Sequence, residues 1–187
     1  MSSPELVVLT DDAGHPTGVA PKAEVHSTDT PLHLAFSCHV FDAQGRLLVT
    51  RRSLQKKTWP GVWTNSFCGH PAPGETIDEA IDRRAARELG IRLDDVRAAL
   101  PDYRYRAVDA SGIVENEICP VYVARTGDEL RPAADEVAGW AWVDPFTLAD
   151  AVAAAPFAFS PWIVEQLPQL ISLGILDARP ALNGVRA

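Results

Sequence analysis

Gly69-His70-Pro71-Ala72-Pro73-Gly74-Glu75-Thr76-Ile77-Asp78-Glu79-Ala80-Ile81-Asp82-Arg83-Arg84-Ala85-Ala86-Arg87-Glu88-Leu89-Gly90-Ile91 is the stretch from which the fold can be read. Its second half is a helix over 76–89. Thr76 and Glu79 have the spacing of a capping box. Ile77, Ala80, Ile81, Ala85 and Leu89 form an apolar stripe at helical period. Gly90 supplies a left-handed cap. Arg84 and Glu88 prolong the Ile77–Ile81 line, which puts two charges on an apolar face. That is costly unless they are paired or functional; an ion pair four residues apart would satisfy both.

Directly before the helix stands Trp59-Pro60-Gly61-Val62-Trp63-Thr64-Asn65-Ser66-Phe67-Cys68-Gly69-His70-Pro71. Pro60, Gly61, Gly69 and Pro71 bracket it, so it is not one regular element. Trp63 to Cys68 reads as a short strand and Gly69-His70-Pro71 as a sharp exit. Cys68 and His70 then sit at a strand end, on the floor of an active site.

Further out, residues 5–20 read as a hairpin turning at Asp11–Gly14, followed by a polar connection from Pro21 to Pro31. Leu32 to Phe41 alternates: Leu34, Phe36, Cys38 and Val40 face one way, and His33, Ala35, Ser37 and His39 the other. The first face is expected in the core, the second as a site wall. Arg46–Arg52 is its paired strand. Tyr103–Val108, Ile113–Ala124 and Val137–Val143 are three further strands. Glu115 and Glu117 share a face of the second, a repulsion that solvent or a metal must relieve. Asp144–Ala155 and a segment starting after Ser160-Pro161 read as helices, the latter interrupted by Pro168. Trp59, Trp63, Trp140 and Trp142 are assigned to the core. The expected class is α/β (α+β), one domain over 1–178, with 179–187 a frayed tail.

Net charge is −8 over 187 residues. This excludes a nucleic-acid or anionic-membrane binder held by bulk electrostatics. All three lysines, Lys22, Lys56 and Lys57, fall in the first third, with Arg51 and Arg52 nearby. Charge alone favours a solvated basic loop over an anion site. Three cysteines, Cys38, Cys68 and Cys119, fit a reducing compartment rather than a disulfide framework. No signal peptide or membrane span is visible, so a soluble cytoplasmic protein is expected. Nothing suggests an obligate interface, and a monomer is expected.

His26, His33, His70, Glu115 and Glu117 come from separate segments and lack any short-range zinc spacing. The argument for a metal is that His33 and the two glutamates lie on polar strand faces. Mixed nitrogen and oxygen donors suit manganese, zinc or magnesium.

Gly69-x5-Glu75-x7-Arg83-Arg84-Ala85-Ala86-Arg87-Glu88-Leu89-Gly90-Ile91 resembles the Nudix box, Gly-x5-Glu-x7-Arg-Glu-U-x-Glu-Glu-x-Gly-U with U aliphatic. Arg84 and Arg87 replace glutamates, and Ala85 takes a bulky aliphatic position. Longer words surround it: His33-Leu34-Ala35-Phe36-Ser37, Trp59–Ser66, Cys68-Gly69-His70-Pro71, Tyr103-Arg104-Tyr105-Arg106-Ala107, Gly112–Glu117 and Phe159-Ser160-Pro161-Trp162. Together they resemble type I isopentenyl-diphosphate isomerase, from the first hairpin to Trp162. The resemblance implies a Nudix-like α/β/α sandwich with a mixed sheet. It also implies conversion of isopentenyl diphosphate to dimethylallyl diphosphate by proton addition and removal, with no water at the carbocation. By the same resemblance Cys68 and Glu117 are the proton-transfer pair, Tyr105 assists, and Trp162 faces the cation. His26, His33, His70, Glu115 and Glu117 hold one metal. Magnesium is implied at Glu88 with the Cys68 carbonyl and the diphosphate. Lys22, Arg52, Lys56 and Arg84 bind that diphosphate. The competing readings are a Nudix hydrolase with a degenerate box and a non-catalytic diphosphate-binding module. A hydrolase should keep the full glutamate set, and a binding module has no use for Cys68 opposite Glu117.

Overall fold

The computed structural model describes residues 5–177, so the tail expected from Arg179 lies outside the described residues. Its strands are β1 (Leu6–Thr10), β2 (Pro16–Pro21), β3 (His33–Leu34), β4 (Phe36–Phe41), β5 (Leu47–Arg52), β6 (Trp63–Thr64), β7 (Phe67–Gly69), β8 (Asp94–Leu100), β9 (Arg104–Val108), β10 (Val114–Ile118), β11 (Val121–Arg125) and β12 (Val137–Val143). Its helices are α1 (Lys22–Val25), α2 (Ile77–Glu88), α3 (Pro145–Ala154) and α4 (Pro161–Ser172). The fold is α+β with mixed sheets. One sheet runs β2-β1-β3-β10-β9, and the other β12-β5-β4-β11-β8, with β6 on β5 and β7 on β4. β3 pairs parallel with β10, and β4 with β11; the other pairings are antiparallel.

Strand alternation divides the core in two. Leu47 and Val49 of β5 join Leu148, Val152, Ile163, Leu167 and Leu170 of α3 and α4. Leu48, between them, joins Ala80, Ile81, Ala85 and Leu89 around α2. Period 2 on the strand and period 3.6 on the helices thus place helices on both faces of the second sheet. This is the α/β/α arrangement.

α2 begins where the sequence indicates. Thr76 Oγ1 accepts from the Glu79 amide at 3.3 Å, and Glu79 Oε2 accepts from the Thr76 amide at 2.9 Å. Gly90 takes φ +67° after the helix. Gly69 is fixed by close approach: a Cβ there would lie 2.7 Å from Arg84 Cγ and 2.8 Å from Phe36 Cζ. Only a glycine lets the strand end and the buried face of α2 come this near.

Several expectations need correction. Leu32–Phe41 is two strands in different sheets, and Ile113–Ala124 likewise breaks between β10 and β11, at Cys119-Pro120. Proline has no amide to donate to a ladder, so the chain changes sheet there. Trp63–Cys68 is also two short strands, split at Asn65-Ser66. The Ser37 and His39 face is no site wall. Both side chains are fully buried, and both bond Gln166 Oε1 of α4, at 3.0 and 2.9 Å. Trp140 is 45% exposed rather than core. α4 continues through Pro168. β8, at the sheet edge, was not anticipated; Asp-Asp-Val-Arg-Ala-Ala-Leu shows little β-branched alternation.

Candidate active site

A cavity of about 510 Å³ is lined, among others, by Cys68, Tyr105, Glu117 and Trp162 and by Lys22, Arg52, Lys56, Arg84 and Glu88. Strand register explains half of it. Glu117 is the Cα partner of His33 on one side and of Tyr105 on the other. Three neighbouring strands therefore present His33, Glu117 and Tyr105 in a row on one face. Glu115 follows two residues away on that face. Cys68 arrives from the other sheet, paired with Ser37.

His26, His33, His70 and Glu117 offer ligand atoms that all lie within 4.8 Å of one another. His33 Nδ1 lies 2.9 Å from the Pro31 carbonyl. That carbonyl only accepts, so Nδ1 carries a proton, and in the neutral ring Nε2 presents a lone pair. His33 Nε2 lies 3.5 Å from Glu117 Oε1, and His70 Nε2 lies 3.1 Å from the same oxygen. His26 Nε2 and Glu115 Oε2 lie 3.0 Å apart, yet both are buried without a hydrogen bond, as is His33 Nε2. Buried lone pairs converging without a shared proton are what a cation would satisfy. The donor set of nitrogen and carboxylate oxygen fits a divalent metal. Glu115 and Glu117 are 6% and 4% exposed, so solvent does not relieve their repulsion. Thr58 Oγ1 donates to Glu115 Oε1 at 2.5 Å.

Electrostatics separate the two proton-transfer candidates. Burial pushes the Cys68 thiol up to about 12; the nearby Glu117 charge adds to this, while the Ser37 hydrogen bond opposes it. Burial also works against ionised Glu117, but His33 and His70 outweigh it and hold that carboxyl well below its ordinary range. Burial pulls His70 down to about 4. It also acts to lower His33, where the Glu117 carboxylate wins and raises the imidazole. The surroundings thus favour the protonated thiol at Cys68 and the carboxylate at Glu117.

Trp162 is 2% exposed, on the first turn of α4. Its ring lies 5.7 Å from that of Tyr105 and 5.5 Å, edge to face, from that of Trp59. The Arg52 guanidinium sits 5.3 Å over it. Arg52 is held by the Thr58 carbonyl at 2.9 Å and the Trp59 carbonyl at 3.2 Å. Trp59 itself takes φ +42°, a rare backbone value for a bulky residue, which turns its carbonyl to Arg52.

The basic residues are not a solvated loop. Lys22 Nζ bonds both Glu5 oxygens at 3.0 Å, Lys56 pairs with Glu136, and Arg84 pairs with Glu88 and, at 3.3 Å, with Glu136. Burial raises the Glu136 carboxyl, but the Lys56 contact and the surrounding cations overcome it and bring it to about 2. Arg51 is solvent-exposed, and Lys57 Nζ is spent on the His26 carbonyl at 2.5 Å.

A family model for the NUDIX domain matches residues 31–163. An isopentenyl-diphosphate Delta-isomerase of Agromyces mediolanus is 65% identical over 92% of this chain and 84% of its own. That of Leifsonia xyli subsp. xyli is 64% identical over 89% and 90%. The chain belongs to the isopentenyl-diphosphate Delta-isomerase family of NUDIX proteins. The crystal structure of DR0079 from Deinococcus radiodurans superposes with a TM-score of 0.69 at 21% identity, over 88% of this chain and 98% of that one. This likeness concerns the NUDIX fold alone.

The two departures in the NUDIX box differ physically. Arg84, 4% exposed, lies between Glu88 and Glu136 in the cavity wall. Arg87 points outward and pairs with Asp135 at 2.6 Å, both about half exposed. Sequence reasoning missed three residues of the site. Thr58 and Glu136 carried no local signal. Asn65 did: Thr64-Asn65-Ser66 is a polar triplet inside an apolar strand reading, and all three are buried.

Proposed function

We propose that the chain interconverts isopentenyl diphosphate and dimethylallyl diphosphate. The observation that carries this is a single cavity lined by the Cys68 thiol, the Glu117 carboxyl, the Trp162 ring and a cluster of cations. Its relatives' names support the same activity.

Lys22, Arg52, Lys56 and Arg84 take the diphosphate; Lys22, Lys56 and Arg84 exchange carboxylate partners for phosphate oxygens. The hydrocarbon end then reaches Cys68, Tyr105, Glu117 and Trp162. One proton is added to the terminal methylene, the alkene electrons forming the new C–H bond. This leaves a tertiary cation. A second proton leaves the adjacent methylene, and its bonding electrons form the trisubstituted alkene. Cys68 and Glu117 give and take these two protons, and the reverse reaction swaps their roles. A thiol pushed up in pKa is a weak acid, so placement in a closed site supplies what acidity does not. The Trp162 ring attracts the cation without trapping it. Tyr105, the register neighbour of Glu117, packs beside that ring and assists proton transfer at the carboxylate.

His26, His33, His70, Glu115 and Glu117 would hold a manganese, zinc or magnesium ion, and Glu88 with the Cys68 carbonyl a magnesium ion on the diphosphate. When bound, these cations neutralise the paired carboxylates and the phosphate charge. The setting proposed is the cytoplasm, with the protein a monomer.

The test is turnover of isopentenyl diphosphate with a divalent metal. An acid-labile allylic product with little phosphate release is expected. Phosphate release without that product would favour hydrolysis instead.

A further inference from the structure

Asn65 is fully buried between β6 and β7. Its Oδ1 accepts three hydrogen bonds: Thr64 Oγ1 at 2.9 Å, Trp162 Nε1 at 2.9 Å and Cys68 Sγ at 3.3 Å. Its Nδ2 donates to the carbonyls of Cys38 at 3.0 Å and Phe67 at 2.8 Å, and to Ser37 Oγ at 2.8 Å. The two ends of an amide are distinguished only by such partners. Here they leave no choice: the carbonyls only accept and the indole only donates, so the oxygen faces Trp162 and Cys68. The amide is itself immovable, since its nitrogen is pinned to the backbone of β4 and β7.

The geometry points to Asn65 as a positioning residue of the isomerisation: its one oxygen fixes the Cys68 thiol and the Trp162 indole relative to each other. This rests on the function proposed above, and it adds what that function requires. A proton donor and a cation-facing ring must keep one mutual geometry, since misplacement by about 1 Å can cost about 100-fold in rate. The two side chains come from different elements, β7 and α4, so their separation depends on a common anchor. A single acceptor shared by both provides it. Asn65 does not touch the diphosphate cations, so its effect falls on the chemical step.

Two measurements test this. In Asn65→Ala, kcat should fall by about 10- to 100-fold with KM for isopentenyl diphosphate within about twofold of the parent. Unchanged kcat, or a loss carried by KM, would overturn the role. The second measurement needs neither turnover nor an Asn65 variant. The Trp162 indole N–H is followed by 1H-15N NMR in parent, Cys68→Ser and Cys68→Ala, assigned by its loss in Trp162→Phe. Removing one of several donors strengthens those that remain on an acceptor. The resonance should move downfield in Cys68→Ala and stay near the parent position in Cys68→Ser. An identical position in Cys68→Ala would show that thiol and indole are not coupled through Asn65. If Asn65→Ala fails to fold, the NMR result decides alone. A parent protein without isomerase activity but with the coupled indole shift would refute the proposed function while leaving the shared anchor in place.

Discussion

Cys68 and Glu117 are made unlike by their surroundings, which is how two groups of one site come to hold different roles. Cys68→Ala and Glu117→Gln should each lower kcat by about 10²–10⁴-fold, the range for losing a positioned acid or base. The thermal midpoint of Cys68→Ala should stay close to the parent's. A near-parental rate in Cys68→Ala would remove the thiol from the reaction. Glu136 gives the pH dependence. Its folded pKa is about 2, below the ordinary carboxylate value of 4.5, so its stabilisation is full above that ordinary value and is lost as pH falls towards about 2. Glu136→Gln should therefore be less stable than the parent in urea at pH 6, with the gap closing towards pH 2. A gap that does not change with pH would mean that ionisation of Glu136 does not contribute.

At the scale of elements, the approach of β7 to α2 is the feature most open to a single substitution. Gly69→Ala places a methyl within 3 Å of Phe36 and Arg84. It should cost about 1–3 kcal/mol in urea unfolding and raise KM, since Arg84 is displaced from the cavity wall. Equal stability would mean that Phe36 and Arg84 yield freely. Thr76→Ala, at the cap of the same helix, should cost about 1 kcal/mol with KM unchanged. The helix was legible because its period, cap and terminal glycine agree. The strands were legible in existence but not in extent. Cys119-Pro120 breaks one run without ending its apolar pattern, and no periodicity says that β10 and β11 lie in different sheets. The burial of Ser37 and His39 depends on Gln166, far along the chain, which local alternation cannot reveal. The metal ligands and cations were placed by resemblance; composition alone favoured a solvated loop.

For the molecule as a whole, the His/Glu cluster ties parts together. His33 and Glu117 come from the first sheet, His70 follows β7 of the second, and His26 follows α1. A cation held among them would link the two sheets. Chelation should therefore lower the thermal midpoint, and manganese, zinc or magnesium should restore it. At 100-fold excess over Kd the gain is about 2.7 kcal/mol. A midpoint indifferent to chelator would exclude a structural contribution from the cluster.

The whole arrangement is built to move protons on carbon while leaving the diphosphate intact. Turnover of isopentenyl diphosphate in D2O with a divalent metal reads this directly, by mass and NMR of the product. Deuterium should enter the methyl groups of an acid-labile allylic diphosphate, with negligible phosphate released. Phosphate release from substrate that carries no deuterium would contradict it.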